Sequence, residues 1–415
     1  MNNTSNPTKK TDRELVERYL APPPSGKGRI YAVDQHPDIN VTAVITGTTP
    51  HDMKILETKG EQTMPELVTW LAEHATSEDI ILVEASTGSF ELVRRLNAHK
   101  LNCCILESSW IGLQADKYVD NDKMAAIRIA RVYLQGNAKA VWVPDQKTIE
   151  SRQLLHIHNT AIADRTKSIN RLRGYLTQYN VRPGRKTLSN AKHQEWMRKQ
   201  RDWTQAESFL LEDLMEQVNY HTERCKKVDQ LIASEIAQNP VMLSLMSLLG
   251  IGVINAFALV AVIGDINRFN NPKKLAAYIG LNPSQKKSGK GKNKKIGVGV
   301  SGRKDMRALI TQSAQAVLNR GSQTSLGKWG MSLMLRKGNR NIAVSAIARR
   351  MAMQVWHLLK GNKPELLESS TSRDVKFRKL LALIGRDGRQ KIGLPNKSID
   401  SIMQFNKMIS QEITT

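Results

Sequence analysis

The sequence predicts an α/β domain followed by a larger, mainly helical region. Short β-type runs separated by turn residues follow residue 28, whereas apolar residues in heptad spacing run through 149–238. A further stretch of helical periodicity begins near residue 239. The length of 415 residues accommodates two or three domains. We therefore expect a linker followed by structured segments, with the bounds 1–27, 28–148, 149–238, 239–361 and 362–415.

The predicted α/β domain has a characteristic order of elements. Three strand-like runs with turn residues between them come first, and helices then alternate with strands. The run DIILVEAS is continuously apolar, as in a strand that is buried on both faces. A meander of three strands followed by alternating helices and strands is the order of an RNase-H-like (RuvC-like) domain. The predicted strands are RIYAVD, NVTAVITG, MKILETK, DIILVEAS and LNCCILES, and the predicted helices are Met64–Ala75, Phe90–His99 and Asp122–Leu134.

Two stripes of residues at alternating steps of three and four predict long helices in 149–238. The pair would form either an antiparallel coiled-coil hairpin or a surface for dimerisation. His158 and His221 lie on the stripes, and we interpret them as seam residues rather than metal ligands. The stripes consist of Leu155, His158, Ile162, Arg165, Ile169, Leu172 and Leu176, and of Leu211, Leu214, Val218, His221, Cys225, Val228 and Ile232.

Two apolar helices joined by a glycine turn open the next region. LMSLLGIGVINAFALVAVIG places Gly250 and Gly252 in this turn, which resembles a helix-hairpin-helix element. The backbone N–H groups of such a turn can bind a nucleic-acid phosphate. We also expect helices at Ala308–Leu318 and Asn341–Leu359, and a loosely packed C-terminal extension with one helix at Asp374–Ile384.

The composition points to a polyanionic partner. The chain has 62 Lys and Arg against 38 Asp and Glu, a formal net charge of +24 and a pI of about 10. Such an imbalance costs self-repulsion, and a nucleic-acid partner explains it better than a small-molecule substrate would. A generally basic soluble protein is the alternative.

Other features argue against several classes of protein. The three cysteines, Cys103, Cys104 and Cys225, lack zinc-finger spacing and do not suggest a disulfide framework. The N-terminus has no apolar signal-peptide core, and stretches such as Val253–Ile263 are too short to span a bilayer. We therefore expect a cytoplasmic protein of a bacterial or archaeal cell, with no membrane partner.

Three acidic residues lie at the ends of predicted elements. Asp34 closes the first strand, Glu84 closes the fourth strand and Asp122 begins a helix. Carboxylates at these places can converge on one edge of a sheet, where they would repel one another without bound cations. Two Mg²⁺ ions suit such oxygen ligands and can hold the attacking and leaving oxygens of a phosphodiester. The alternative is that each acid caps a turn or faces solvent.

A basic segment between Lys286 and Lys304, called the serine segment below, contains Ser288 and no acidic residue. Its glycines permit close approach of the backbone to phosphates. Ser288 is a candidate nucleophile that needs activation by a base or a metal, and the lysines would stabilise the attacked phosphate. The alternative is a flexible loop that only binds nucleic acid. The cations of the segment are Lys286, Lys287, Lys290, Lys292, Lys294, Lys295, Arg303 and Lys304.

The motifs around these residues resemble those of a known family. VDQHP at Asp34, VEASTG at Glu84 and DKMAAIRIA at Asp122 resemble the acidic motifs of the DEDD transposases. These are the IS110 and IS1111 insertion-sequence families, which also resemble the pilin-gene invertase. The basic segment, from GLNPSQKKSGKGKNKK to GRKDMRALI, resembles their C-terminal signature, and the resemblance runs from about Arg29 to Gly361.

The resemblance implies an RNA-guided DNA transposase or recombinase. Asp34, Glu84 and Asp122 would bind Mg²⁺, and Ser288 would form a transient phosphoserine link to DNA. The acidic site of one protomer and the serine of another would make a composite active site in a homo-oligomer, a dimer or a tetramer. A noncoding guide RNA encoded by the element (a bridge RNA, or seekRNA) would pair with both target and donor double-stranded DNA.

One position departs from the family pattern. The third acidic motif of the family reads D-x-x-D-A, with the two aspartates one helical turn apart. Asp122 matches the first aspartate, but Ala125 stands at the second and cannot bind a metal. Asp116 and Asp120 lack the i, i+3 relation to Asp122. We interpret the chain as an inactivated variant, produced either by deliberate substitution or by natural loss of the ligand.

Two other functions compete with the transposase. A junction-resolving nuclease would use the acidic site alone, but it leaves the helical stripes and the serine segment without a role. A non-catalytic nucleic-acid-binding protein is the other competitor, and Ala125 favours it.

Overall fold

A computed structural model describes residues 28–108, 111, 121–184, 188–284, 297–298, 302–320, 324–362 and 369–414. The chain divides into two compact units, Met1–Pro144 and Asp145–Thr415. The linker predicted for 1–27 lies outside the described residues.

The N-terminal unit contains a six-stranded mixed sheet. Its strands are β1 (Ile30–Gln35), β2 (Asn40–Thr46), β3 (Lys54–Gln62), β4 (Ile80–Glu84), β5 (Cys103–Leu106) and β6 (Ala140–Val141). They are ordered β3-β2-β1-β4-β5-β6. β1, β4 and β5 pair in parallel, whereas β2, β3 and β6 run antiparallel to their neighbours. This topology confirms the predicted RNase-H-like domain.

Helices cover both faces of this sheet. They are α1 (Met64–His74), α2 (Ser89–Ala98) and α3 (Asp122–Leu134). Tyr31 and Val33 pack with α1 and α2 on one face, and Ile30 and Ala32 pack with α3 on the other. Because side chains alternate along a strand, Asp34 continues the series of Ile30 and Ala32. Asp34 therefore lies on the face that α3 covers.

Asp79 joins the starts of β1 and β4. Its buried carboxylate accepts hydrogen bonds from the backbone N–H of Arg29 at 2.6 Å, from Arg29 Nη2 at 3.0 Å and from the backbone N–H of Thr76 at 2.8 Å. Burial alone would raise the pKa of this carboxyl, but the hydrogen bonds from Arg29 and Thr76 outweigh it and lower the pKa. These bonds stabilise the parallel register in which Val33 lies beside Val83.

The second unit begins with a long helical hairpin. Its helices are α4 (Gln146–Gln178), α5 (Ala191–Arg198) and α6 (Gln205–Ala237). α4 and α6 pack against each other in antiparallel orientation, so that Leu172 and Leu214 share one core while His158 Nδ1 lies 2.9 Å from Asp229 Oδ1. The predicted hairpin is thereby confirmed, and His158 lies in its seam.

The other helices surround the largest hydrophobic core. They are α7 (Pro240–Met246), α8 (Val253–Ile263), α9 (Pro272–Ile279), α10 (Lys304–Asn319), α11 (Ser325–Lys337), α12 (Arg340–Leu359), α13 (Ser370–Lys391) and α14 (Ser398–Thr414), with the short strands β7 (Pro283–Ser284) and β8 (Gly297–Val298). α8 lies at the centre, where Phe257 and Leu259 are fully buried. Within the described residues, no helix combines the length and apolar character needed to cross a bilayer.

The expectation of a loosely packed C-terminal extension is wrong. The rings of Phe377 in α13 and Phe405 in α14 are fully buried, with their centroids 5.5 Å apart. α13 packs along α6, and α14 packs against α7. Because Phe377, Leu380 and Ile384 recur at helical spacing, they form an apolar face that the surrounding charged residues obscure in the sequence. The extension is part of the core of the second unit.

Candidate active site

Asp34 is the penultimate residue of β1, and Glu84 is the last residue of the neighbouring parallel strand β4. Val33 of β1 lies beside Val83 of β4, so the next residue on each strand carries its carboxylate to the same edge of the sheet. Both residues line one cleft of about 330 Å³, together with His36 and Ser86. The carboxyl edge of parallel strands therefore brings these two predicted site residues together.

Gln35 connects the two turns that border the cleft. Its side-chain Oε1 accepts hydrogen bonds from Ser86 Oγ at 2.5 Å and from the backbone N–H of Gly88 at 3.1 Å. Its Nε2 donates to the backbone carbonyl of His36 at 2.8 Å. Because Gln35 is itself buried, these bonds hold the turn after Glu84 against the turn that carries His36.

Asp122 occupies the first position of α3. The preceding residue, Asn121, caps the helix by accepting a hydrogen bond from the backbone N–H of Met124 at 2.9 Å. Ala126 and Ala130 are fully buried against the sheet and fix the position of the helix on it. An acidic side chain is favoured at this end of a helix by the exposed backbone N–H groups.

The structure brings Asp34, His36 and Asp122 into one cluster. One potential ligand atom from each side chain lies within 4.8 Å of the other two. Glu84 lines the cleft but is not a member of this cluster. His36 was not predicted from the sequence, although its place two residues after Asp34 in VDQHP was a signal for it. Two carboxylates and an imidazole form a donor set that fits a divalent cation.

Ala125 lies on α3 one helical turn after Asp122 and is partly buried. Its methyl group cannot bind a metal. The position at which the chain departs from the family motif therefore lies on the helix that borders the cluster. The alternative acids Asp116 and Asp120 lie outside the described residues.

The structure describes the base of the serine segment, but Ser288 and the six lysines of the segment at 286–295 lie outside the described residues. At the base, a Cβ added to Gly302 would lie 2.7 Å from the Cα of Gly280, and Gly302 has a φ of +94°. The backbone N–H of Arg303 donates to the carbonyl of Tyr278 at 3.0 Å. Pairing of β7 with β8 also joins the two ends. The ends of the segment are therefore held together by backbone contacts that require glycine.

The two described cations of the segment differ in their surroundings. Arg303 forms an ion pair with Asp305, with Nη2 and Oδ2 2.7 Å apart, whereas Lys304 is exposed. Both stand at the start of α10.

The predicted glycine turn lies between α7 and α8. Gly250 has a φ of +78°, and a Cβ there would lie 2.8 Å from Val317 Cγ2, so the turn needs glycine to pack against α10. Gly250 and Gly252 line a cavity of about 180 Å³. Its lining also includes Arg320, Lys376 and Lys379, which were not predicted from the sequence.

Lys376 stabilises this turn from α13. Its Nζ donates to the carbonyls of Met246 and Leu248, at 2.8 Å each. Met246 is the last residue of α7, and Leu248 follows the helix. At such a helix end the backbone carbonyls lack N–H donors from within the helix. Arg320 and Lys379 are exposed. The cavity at the turn is therefore rimmed by cations, as expected of a surface that contacts phosphates.

Comparison with known proteins identifies the family. A family model described as "Transposase", of the DEDD type of IS110, matches residues 32–181. A second model, described as "Transposase IS116/IS110/IS902 family", matches residues 242–326. The chain belongs to the IS110 family of transposases. The first match covers the acidic cluster, and the second covers the glycine turn and the serine segment.

Several curated proteins are similar to this IS110-family chain. A putative transposase y4qE of Sinorhizobium fredii is 24% identical over 56% of both chains. The transposase for insertion sequence element IS1111A of Coxiella burnetii is 29% identical over 58% of this chain and 66% of its own length. The pilin gene-inverting protein of Moraxella lacunata is 24% identical over 74% of this chain and 88% of its own. The chain thus spans less than two thirds of the first two relatives.

Proposed function

We propose that this protein is the DNA transposase of an insertion sequence, which cuts and rejoins DNA at an acidic metal site with a serine nucleophile. The observation that carries the proposal is the convergence of Asp34 and Asp122 on the edge of an RNase-H-like sheet, beside a cleft that Glu84 also lines. The relatives named as transposases and as a pilin gene-inverting protein support it.

Asp34, Glu84 and Asp122 are the proposed ligands of Mg²⁺, in a site for two ions. Bound Mg²⁺ would neutralise the phosphate that is cut and stabilise the charge on the departing oxygen. The residues themselves bind the cations and orient the phosphodiester along the sheet edge. Gln35 keeps the turns around the cleft in place through its bonds to Ser86 and Gly88.

Ser288 is the proposed nucleophile. Its Oγ attacks the phosphorus atom of a DNA phosphodiester, a new O–P bond forms, and the bond from phosphorus to one deoxyribose oxygen breaks. The serine proton leaves with a base, and the departing oxygen takes up a proton. The phosphoserine link conserves the bond energy, so a second deoxyribose hydroxyl can rejoin the strand by the reverse exchange. The acidic site and the serine belong to different protomers of a dimer or tetramer.

Two basic surfaces are proposed to bind nucleic acid. The first is the serine segment, in which Lys286, Lys287, Lys290, Lys292, Lys294, Lys295, Arg303 and Lys304 would contact phosphates. The second is the turn of Gly250 and Gly252 with the cations around it. A noncoding guide RNA would read the donor and target sequences by base pairing, so that the protein needs mostly backbone contacts.

Ala125 weakens the proposed site. An aspartate one turn after Asp122 would face the same side of α3 and add a carboxylate to it. We therefore expect the chain as it stands to cleave more slowly in Mg²⁺ than its Ala125→Asp variant.

A covalent-adduct assay tests the proposed function. The Ala125→Asp protein is incubated with Mg²⁺, the noncoding RNA of its element and labelled donor and target DNA, and denaturing gels report protein-linked DNA. We expect an adduct that Ser288→Ala abolishes and Ser301→Ala, a change at another serine of the segment, retains. Cleavage that survives Ser288→Ala would support a junction-resolving nuclease. Binding without cleavage in any variant would support a non-catalytic nucleic-acid-binding protein.

A further inference from the structure

The imidazole of His36 is the unexpected member of the acidic cluster. One of its ring nitrogens lies within 4.8 Å of a carboxylate oxygen of Asp34 and of one of Asp122. A neutral imidazole nitrogen is a common metal ligand in proteins. The two carboxylates supply the negative charge that a cation needs beside it.

The backbone around His36 places the imidazole in the cluster. His36 follows the last residue of β1, and its carbonyl accepts a hydrogen bond from Gln35 Nε2 at 2.8 Å. Gln35 is also bonded to Ser86 and Gly88 across the cleft. A ligand on a turn that is fixed in this way loses little conformational freedom when it binds an ion.

His36 belongs to the same site that lacks a carboxylate at Ala125. Ala125 provides no ligand on the turn of α3 that follows Asp122, whereas His36 approaches Asp122 from the sheet edge. We propose that His36 is a metal ligand that takes the place of the carboxylate missing at Ala125. This inference rests on the proposed function, because it concerns the same metal site.

A nitrogen ligand changes which cation the site prefers. Mg²⁺ favours oxygen ligands and an octahedral shell that keeps several waters, whereas imidazole suits transition metals. The pair of carboxylates with one imidazole therefore favours Mn²⁺ over Mg²⁺. Adding the carboxylate at position 125 makes the imidazole dispensable and moves the preference back towards Mg²⁺.

Mn²⁺ binding by the full chain tests the role of His36 without relying on catalysis. Electron paramagnetic resonance measures the free and bound ion, and electron spin echo modulation reports nitrogen coupled to it. We expect nitrogen coupling in the native chain and its loss in His36→Ala. Affinity should fall at least about tenfold, since changes to outer-shell partners alone cost 10- to 100-fold. His51→Ala removes another exposed histidine of the same unit, in the turn between β2 and β3, and should change neither measurement.

A rescue variant separates a ligand from a structural residue. The double variant Ala125→Asp with His36→Ala should bind Mn²⁺ again, without nitrogen coupling, because the carboxylate replaces the imidazole. Mn²⁺ bound by the native chain without nitrogen coupling, or with unchanged affinity in His36→Ala, would overturn the inference. The covalent-adduct assay tests the proposed function separately from the role of His36. An adduct formed by the double variant would support the proposed function even if the Mn²⁺ measurements showed that His36 is no ligand.

Discussion

A carboxylate oxygen of Asp34 lies within 4.8 Å of one of Asp122, although Asp34 lies near the end of a strand and Asp122 begins a helix. The contact depends on the packing of α3 across the sheet. Two carboxylates at this separation repel each other unless a cation lies between them. The stability of the N-terminal unit should therefore respond to metal.

Replacing Asp122 with Asn should remove this response. In the native chain, Mn²⁺ raises the melting temperature relative to EDTA, because an ion that binds only the folded state stabilises it. Asp122→Asn should melt at least as high as the native chain in EDTA, since the repulsion is relieved, and should gain nothing from Mn²⁺. Thermal denaturation with and without the metal measures both effects. A native chain that melts at the same temperature in EDTA and Mn²⁺ would contradict the metal site.

Asp79→Asn should lower stability in a pH-dependent way. The variant loses a buried charge that accepts bonds from Arg29 and Thr76, and hydrogen bonds to charged groups contribute about 1.5–3 kcal/mol. Because the folded pKa of Asp79 lies below its ordinary value of 3.8, this stability is present above that value and is lost as the pH falls through the folded pKa. Urea unfolding at pH 7 and at low pH checks the prediction.

The neighbouring Glu78 provides the control for Asp79. Its side chain is exposed, and Glu78→Gln should change the free energy of unfolding by less than about 0.5 kcal/mol. If Asp79→Asn lowered the free energy of unfolding by the same amount at both pH values, the carboxylate would not be the source of the stability.

Lys379→Ala should weaken nucleic-acid binding through a lost phosphate contact at the glycine turn. Each phosphate contact contributes about 0.9 to the slope of log affinity against log salt concentration on duplex DNA. We expect the slope to fall by about that amount, with equal loss on unrelated sequences. Arg378→Ala is the matched control, because Arg378 is exposed on the same helix but does not line the cavity. Equal effects of the two variants would indicate only a loss of net charge.

Gly302→Ala, made in the Ala125→Asp protein that the adduct assay uses, should displace the serine segment. The added Cβ would lie 2.7 Å from both the Cα and the N of Gly280, and backbone atoms cannot move aside cheaply. Gly338→Ala controls for backbone conformation, because Gly338 also has a positive φ, +62°, but a Cβ there would have no atom within 4 Å. In the control, the free energy of unfolding should fall by only about 1 kcal/mol, the cost of an L residue in the left-handed conformation. The control should still form the covalent adduct. We expect Gly302→Ala to lose more stability and to form no adduct.

The order of elements in the N-terminal unit followed from local patterns. Periodicity and turn residues depend on neighbours in the chain, so β1 to β5 and the bounds of α3 could be predicted directly. β6 has only two residues and no pattern of its own. α11 was missed because Gly327 and Gly330 interrupt its apolar stripe, although Gly330 is where the helix packs closely on Ile347 of α12.

The sequence by itself determined which residues are the candidates for the chemistry. Asp34, Glu84 and Asp122 could be named because carboxylates at element ends and the motifs around them are visible in one dimension. The tertiary structure alone decided that His36 joins Asp34 and Asp122, and that Lys379 of the C-terminal extension lies at the glycine turn. These contacts arise between elements far apart in the chain, and the packing of whole helices and strands sets the distances between them.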